Sequence, residues 1–418
     1  MLYAIFRVIV SLVLKLSLKR IHISGLENIH PDKPQILASN HPNGFIEPLV
    51  MACFFPRPLY FLVRGDVFEN PLLKPILEAT HQIPVFRFKD GFSNLRKNAG
   101  TIGASVNVLA DKKALLIFVE GGTLSVKKLR PLQKGVARIA SDAFSLSKVE
   151  DLEIVPVGIN FTYPSEMGSE IMLCAGTPIK VSDYFASEAN DSQKSATDLL
   201  LNEIHSRMSS LVIHIEENQR LSLFEQAVQV VRMQENPRFF PKLVSGKERL
   251  LNEYGLAVKI NGMDEVTFEK AKDDFKKAYQ PYKKLGFKES DLIKNAADWM
   301  SFMLLIVLSP LFVTGFITNY FPVLAAKGIR KKLVSHKEFI LSIELVFSIV
   351  FYILYYILMS SLLIMFDLPL YILPGMVLSG LLSLYLWHLY TLRVWRKSRS
   401  FAKYKQEITS VYKRYFTA

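Results

Sequence analysis

Between about residues 21 and 182, short apolar runs alternate with longer stretches of helical period. The runs at 34–39, 59–63, 83–86, 115–119, 154–161 and 171–174 are rich in aliphatic and β-branched residues and bounded by turn formers. Each predicts a strand, and runs without polar alternation predict strands buried on both faces. Segments 92–112 and 134–144 carry a longer apolar period and predict helices. Alternation of this kind predicts an α/β domain built on a largely buried sheet over residues 21–182.

The flanks read differently. Residues 1–20 are mostly apolar, but Arg7, Ser11 and Lys15 recur at helical spacing on one face, which predicts an amphipathic membrane-associated helix. A signal peptide is the rival reading; charges inside the run and the lack of a small-residue cleavage site argue against it. Residues 183–298 are charged and helix-rich, a set of solvated connecting helices or a docking surface for a partner. Beyond Trp299 a membrane region is expected over 299–392. Segment 345–366 is charge-free and long enough to span a bilayer. Segment 368–386 is a second apolar run, interrupted by Pro369, Pro374 and two glycines and ending in the aromatic interface residues Trp387 to Tyr390. Segment 300–326 is split by Pro310, Gly315 and Pro322, which predicts a re-entrant hairpin broken near Pro310 and Gly315, with one kinked span as the alternative. A basic tail over 393–418 carries Arg393, Arg396, Lys397, Arg399, Lys403 and Lys405, a pattern suited to anionic lipid.

Composition sharpens this division. Of 418 residues half are hydrophobic, yet 21% are charged, so polar and lipid-soluble portions must coexist in one chain. The net charge of +13 suits nucleic acid or an anionic membrane surface. Many of the basic residues lie beside the apolar spans, and nothing resembles a helix-turn-helix or zinc motif, so no nucleic-acid partner is expected. Cys53 and Cys174 are too few for a disulfide framework or a metal knuckle, and no metal site is expected.

Chemistry concentrates in two runs. In Ser39-Asn40-His41-Pro42-Asn43-Gly44-Phe45-Ile46-Glu47-Pro48 a histidine and a carboxylate share one short segment after a strand. Six residues apart on a regular helix they would diverge, so His41 must sit on a turn with Glu47 folding back from the next segment. Loops at the carboxyl ends of strands are where open α/β sheets place their sites. There His41 Nε2 would act as a general base, and Glu47 would hold the Nδ1 proton. The second run, Phe118-Val119-Glu120-Gly121-Gly122-Thr123, also ends a strand; its glycines permit close approach to a ligand or simply a tight turn.

The first run resembles the Asn-His-(four residues)-Asp block of the glycerolipid acyltransferase (PlsC-like, lysophosphatidic acid acyltransferase) family, and the second its Phe-Pro-Glu-Gly-Thr-Arg block, in the family's order. Arg64 to Phe68, continuing through Ile83 to Arg87, is similar to the second block, whose closing arginine binds the acceptor phosphate; Arg87 matches it, a surface ion pair being the plainer reading. Ile154-Val155-Pro156-Val157-Gly158 looks like the fourth block, which lines the acyl channel. The resemblance implies a glycerolipid acyltransferase-type domain with a mixed sheet flanked by helices, followed by a helical membrane region. It implies catalysis by His41 and Glu47, and an acceptor or phosphate site of Arg87, Glu120, Gly121, Gly122, Thr123 and Lys128.

No cofactor is expected; acyl-CoA or acyl carrier protein would be the donor, and membrane lipids the other partners. The expected reaction acylates 1-acyl-glycerol 3-phosphate or glycerol 3-phosphate. Because such donors are cytosolic, the catalytic domain of a multi-pass protein would face the cytosol. Three positions depart from the family pattern: glutamate replaces aspartate, it lies six residues from the histidine instead of five, and Thr123 stands where an arginine is common. Lys127, Lys128, Arg130 and Lys134 follow and offer replacement charge. A non-phosphate acceptor such as a lyso-ornithine lipid, or a non-catalytic lipid-binding protein of the same fold, are the alternatives.

Overall fold

The computed structural model describes residues 2–86, 98–163, 168–185, 193–234, 239–283, 303, 306–333, 336–393 and 399–417. They fall into two compact units: residues 1–214, 242–251 and 337–342, and residues 215–241, 252–336 and 343–418.

In the first unit the apolar runs become strands close to their expected bounds. In chain order come α1 (Leu2–Ser17), β1 (Arg20–Ser24), β2 (Gln35–Ser39), α2 (Ile46–Phe54), β3 (Leu59–Arg64), α3 (Lys74–Ala79) and β4 (Gln82–Val85). They are followed by α4 (Asn98–Ala110), β5 (Ala114–Phe118), α5 (Gly135–Ser145), β6 (Glu153–Phe161), β7 (Glu170–Ala175), β8 (Ile179–Lys180), α6 (Gln193–Ser209) and β9 (Leu243–Ser245). Residues 92–97 of the expected helix 92–112 lie outside the described residues. The sheet order is β4-β3-β5-β2-β6-β7-β1-β9, with β8 added to β6. Pairing is parallel except at β6–β7 and β6–β8, so the sheet is mixed, as expected.

Every residue of β2 and of β6 is buried, which is why those strands read as continuous apolar runs. Leu109 of α4, Val136 and Ile139 of α5, and Leu200 and Ile204 of α6 join Leu115 and Ile117 in one hydrophobic core. Each such side chain contributes about 1.5–3 kcal/mol on full burial.

Three strands lack that signal, among them the two-residue β8. β1 carries Arg20 and His22 among its five residues, and its neighbourhood is held by polar contacts: Lys19 lies 3.1 Å and His22 3.6 Å from the buried Glu170 carboxylate. β9 is only three residues long, exists by pairing with β1, and falls within the segment read as charged and helix-rich.

The amphipathicity of α1 is turned inside out. Arg7 donates from Nε to the Cys53 carbonyl at 3.0 Å and from Nη2 to the Phe55 carbonyl at 2.8 Å. Lys15 Nζ lies 5.5 Å from the centre of the Phe54 ring. The polar face thus caps the carbonyls at the end of α2, where a helix leaves acceptors unsatisfied and favours cations. Ile5, Val8, Ile9 and Leu12 are left exposed.

The second unit contains α7 (Asn218–Gln234), the greater part of α8 (Glu248–Asn261), α9 (Glu265–Lys283), α10 (Ser309–Leu333), most of α11 (Ile340–Met365), α12 (Ile372–Arg393) and α13 (Arg399–Phe416). Helices α10 and α11 are long and apolar enough to cross a membrane, and α12 adds a shorter apolar stretch, Ile372–Trp387.

The expected break is not found at Gly315: α10 begins at Ser309, just after the turn at Leu308, and runs unbroken through Gly315. Pro310 occupies its first turn, where a missing N–H costs nothing. Gly315 serves packing instead, since a Cβ there would lie 2.1 Å from the Ser379 carbonyl oxygen of α12. Asn319 then ties three helices together. Its Nδ2 donates to the Met376 carbonyl at 3.0 Å, and it receives the Tyr352 hydroxyl on its carbonyl at 2.8 Å and the Tyr356 hydroxyl on Oδ1 at 3.1 Å. Residues 300–302, 304 and 305 of the expected hairpin lie outside the described residues, as do Arg396 and Lys397 of the basic tail. Arg399, Lys403 and Lys405 of that tail lie in α13, whose Arg414 and Tyr415 both reach Asp274 of α9 at 2.7 Å.

Candidate active site

Strands β2 and β5 are parallel neighbours with Ser39 opposite Phe118, so the two sequence runs leave the sheet side by side at its carboxyl end. Backbone bonds stitch them together: Val119 N–H donates to the Ser39 carbonyl at 2.9 Å and Leu124 N–H to the His41 carbonyl at 3.2 Å. On the other flank Asn40 clamps β6, donating to the Ile159 carbonyl and accepting from the Ile159 N–H, both at 2.8 Å.

His41 is placed by contacts on ring and backbone. Its Nδ1 lies 3.2 Å from Glu47 Oε1, and its ring stacks on Phe118 with centroids 3.8 Å apart and planes 13° from parallel. Glu47 is the second residue of α2 and is fully buried. The six-residue spacing is thereby met: the chain turns through Pro42 to Phe45, and the first turn of α2 carries the carboxylate back to the ring. That turn is where helix geometry favours negative charge. Oε1 also accepts the Asn43 N–H at 2.5 Å, while Oε2 is buried without a hydrogen-bond partner among the described residues.

Glu120 builds the loop with its own carboxylate. Oε2 accepts the His41 N–H at 2.9 Å and Arg130 Nη2 at 2.9 Å, and Oε1 accepts the Arg130 N–H at 2.8 Å. Arg130 also donates to the Gly122 carbonyl. Both oxygens of this buried carboxylate are committed to protein.

The glycines separate cleanly. Gly121 has a φ of +70° and a Cβ there would lie 2.8 Å from Gln133, so both conformation and space call for glycine. A Cβ on Gly122 meets nothing within 4 Å. Gly44 accommodates the Phe339 ring, which would lie 2.4 Å from an added Cβ.

Of the expected acceptor residues, Glu120, Gly121, Gly122 and Thr123 share this loop, and Lys128 is exposed on the same excursion. Arg87 lies outside the described residues. Strand β4, which leads towards it, is two strands away from β5, and Arg64 at the end of β3 is occupied by Asp66 through two bonds of 3.0 and 2.5 Å. The Ile154–Gly158 run is wholly buried in β6, beside β2. Burial pushes the Cys53 thiol of α2 up to about 11, which leaves no thiolate there near neutral pH. Sequence reasoning gave no role to Asn40, Asn43, Glu338 and Ser342; the two asparagines lie within the first run, and Glu338 and Ser342 carried no local signal.

The sequence profile of the family described as Acyltransferase matches residues 20–160. An uncharacterized acyltransferase of Schizosaccharomyces pombe is 22% identical over 192 residues, 46% of this chain and 27% of that protein. Glycerol-3-phosphate O-acyltransferase 1 of Saccharomyces cerevisiae is 24% identical over 149 residues, 35% of this chain and 20% of that one. The matched stretch therefore spans about a quarter of the first relative and a fifth of the second. Among solved structures, the 1-acyl-sn-glycerophosphate acyltransferase PlsC of Thermotoga maritima aligns with a TM-score of 0.34 at 15% identity, covering 49% of this chain and 77% of that one. Residues 20–160, with their paired blocks at adjoining strand ends, thus form an acyltransferase domain.

Proposed function

We propose that the chain is a membrane-bound O-acyltransferase that moves a fatty acyl group from acyl-CoA or acyl carrier protein to glycerol 3-phosphate or its 1-acyl derivative. The observation that carries this reading is the ring of His41, whose Nδ1 faces the buried Glu47 carboxylate at 3.2 Å. A proton held on Nδ1 leaves Nε2 as the basic nitrogen. Nε2 takes the proton of the acceptor hydroxyl while that oxygen forms a bond to the thioester carbonyl carbon. Collapse of the tetrahedral intermediate breaks the C–S bond, and the imidazolium returns its proton to the departing thiolate. The products are an ester and a free thiol, and Glu47 supports the imidazolium between the two steps. The reaction asks for no protein nucleophile and no cofactor.

Thiol release by the purified protein in lipid tests this, with acyl-CoA or acyl carrier protein as donor and a panel of acceptors. Release that depends on an acceptor supports the proposal; release independent of every acceptor overturns it. A non-phosphate acceptor is the second reading. It is favoured by one observation: Arg64 and Arg130, the described arginines of the two blocks, are each paired with a carboxylate. Acceptors with and without phosphate in the same panel separate the two.

The membrane part of the proposal rests on α10 and α11 and on the outward apolar face of α1. Residues 337–342, which lead into α11, belong to the unit that holds His41. With the basic residues from Lys327 to Lys337, this supports a cytosolic side shared by the start of α11 and the site. Cysteines introduced at Lys74 and Lys331 should then label from one side and a cysteine at Asp367 from the other. Labelling of all three from one side would show that α11 does not cross.

A further inference from the structure

We propose that Ser342 is a positioning residue for His41, so that the loop carrying the base is held from the first turn of α11; this rests on the reading of His41 as the base. Three successive backbone N–H groups of that loop are satisfied in three ways. Asn43 N–H goes to Glu47 Oε1 at 2.5 Å, Gly44 N–H to the Glu338 carbonyl at 3.1 Å, and Phe45 N–H to Ser342 Oγ at 3.1 Å. The Ser342 hydroxyl in turn donates to Asn43 Oδ1 at 2.8 Å. Its donor and an acceptor position are both in use, and both Ser342 and Asn43 are buried. A relay results in which each member fixes the next: Ser342 fixes the Asn43 side chain, the Asn43 backbone fixes Glu47, and Glu47 fixes the His41 ring.

The neighbours of Ser342 widen the grip. Glu338 Oε1 lies 3.3 Å from the Ser125 N–H, so the same short segment also holds the loop after β5. Phe339 fills the space left by Gly44 and meets the Phe45 ring at 6.1 Å between centroids. None of these contacts is local; Ser342 and Asn43 are 299 residues apart in the chain. Satisfying three loop N–H groups does not by itself demand a distant segment, because water serves exposed turns equally well. A buried relay that ends on the proposed base is what a positioning role requires. Geometry of this kind is sensitive, a misplacement of about 1 Å costing on the order of 10²-fold in rate.

The test uses the full-length protein reconstituted in lipid, with kcat expressed per mole of monodisperse enzyme for a donor and acceptor that the wild type turns over. Ser342→Ala should lower kcat by about tenfold to a hundredfold, with the KM of donor and acceptor changed by less than about twofold. Ser342→Thr, which keeps the hydroxyl, should restore most of the loss. In a Glu47→Gln background Ser342→Ala should cost less than about threefold more, because the relay is already cut at its end. Ser342→Cys, which keeps the volume and weakens both bonds, carries the same test if the alanine protein is not recovered monodisperse. A wild-type kcat in Ser342→Ala beside an inactive His41→Ala overturns the inference and leaves the base reading standing. Fully multiplicative losses, or no rescue by threonine, overturn it as well. Activity surviving in His41→Ala removes the base reading and this inference with it.

Discussion

His30 meets Glu153 at 2.7 Å at the amino end of β2 and β6, and His41 meets Glu47 at 3.2 Å beyond the carboxyl end of β2. Ranked by distance alone, the first pair is the better candidate for a base and its partner. What separates them is the state of the carboxylate. Glu153 also takes Lys33 Nζ at 2.5 Å and Gln35 Nε2 at 3.0 Å, so its oxygens are saturated by a lysine, an amide and the imidazole. Among the described residues Glu47 keeps one oxygen without a hydrogen-bond partner and makes no ion pair other than that with His41. A saturated carboxylate stabilises what is already there; an under-committed one can answer a charge that appears only during the reaction. The rings differ too, His41 being sandwiched against Phe118 while the side chain of His30 is about a third exposed.

The sharpest way to break this comparison is to delete both histidines in turn. His41→Ala should reduce the initial rate by about 10²–10⁴ and leave the thermal midpoint near that of the wild type. His30→Ala should do the reverse, lowering the midpoint while each folded molecule keeps its activity. Equal loss of rate in both would erase the distinction. Glu47→Gln comes next: it preserves shape but removes the charge, so kcat should fall by less than in His41→Ala while acceptor KM holds steady. Unchanged kcat in Glu47→Gln would show the free oxygen to be unused.

A smaller effect lies on the acid side. Burial pushes Glu153 up, but the hydrogen bonds from Lys33, Gln35 and His30 outweigh it and hold the carboxyl below its ordinary 4.5. Its folded value is thus depressed relative to the unfolded chain, so its stabilisation is complete above the ordinary value and fades as pH falls through the folded one. Thermal melts taken from neutrality down through the carboxylate range should show this fall in the wild type and a flatter profile in Glu153→Gln. The least effect expected is on the glycine pair. Gly121→Ala should cost on the order of 1 kcal/mol or more from its left-handed backbone, and Gly122→Ala should be close to neutral. Chemical denaturation of the two variants measures the difference.

Legibility from sequence followed burial. The middle strands β2, β5 and β6 could be read because both their faces are covered, and the two chemical runs because they close those strands. β1 and β9 could not: one carries polar residues whose partner lies on β7, and the other is too short to show a pattern without its neighbour. Gly315 illustrates a different limit. A glycine that breaks a helix and a glycine that lets another helix approach have the same local sequence, and only the Ser379 carbonyl opposite distinguishes them. The spacing of His41 and Glu47 required the chain to turn back, and it does. That Asn43 and Phe45 would be held by Ser342 was beyond any local reading, because pairing across 297 or more residues leaves no period or composition to follow.

The reversed face of α1 has a consequence for how this protein can vary. Protein interiors discriminate among side chains by shape, since a cavity or a clash costs energy; hydrocarbon accommodates any apolar outline. With α1 lying on lipid, as proposed, Ile5, Val8, Ile9 and Leu12 should exchange freely among apolar residues in related sequences. Arg7 should not, because only a guanidinium spans the Cys53 and Phe55 carbonyls together. Along this helix the hydrophobic residues would be the ones free to drift and the charged one the fixed point, the opposite of what substitution patterns on a water-facing helix show.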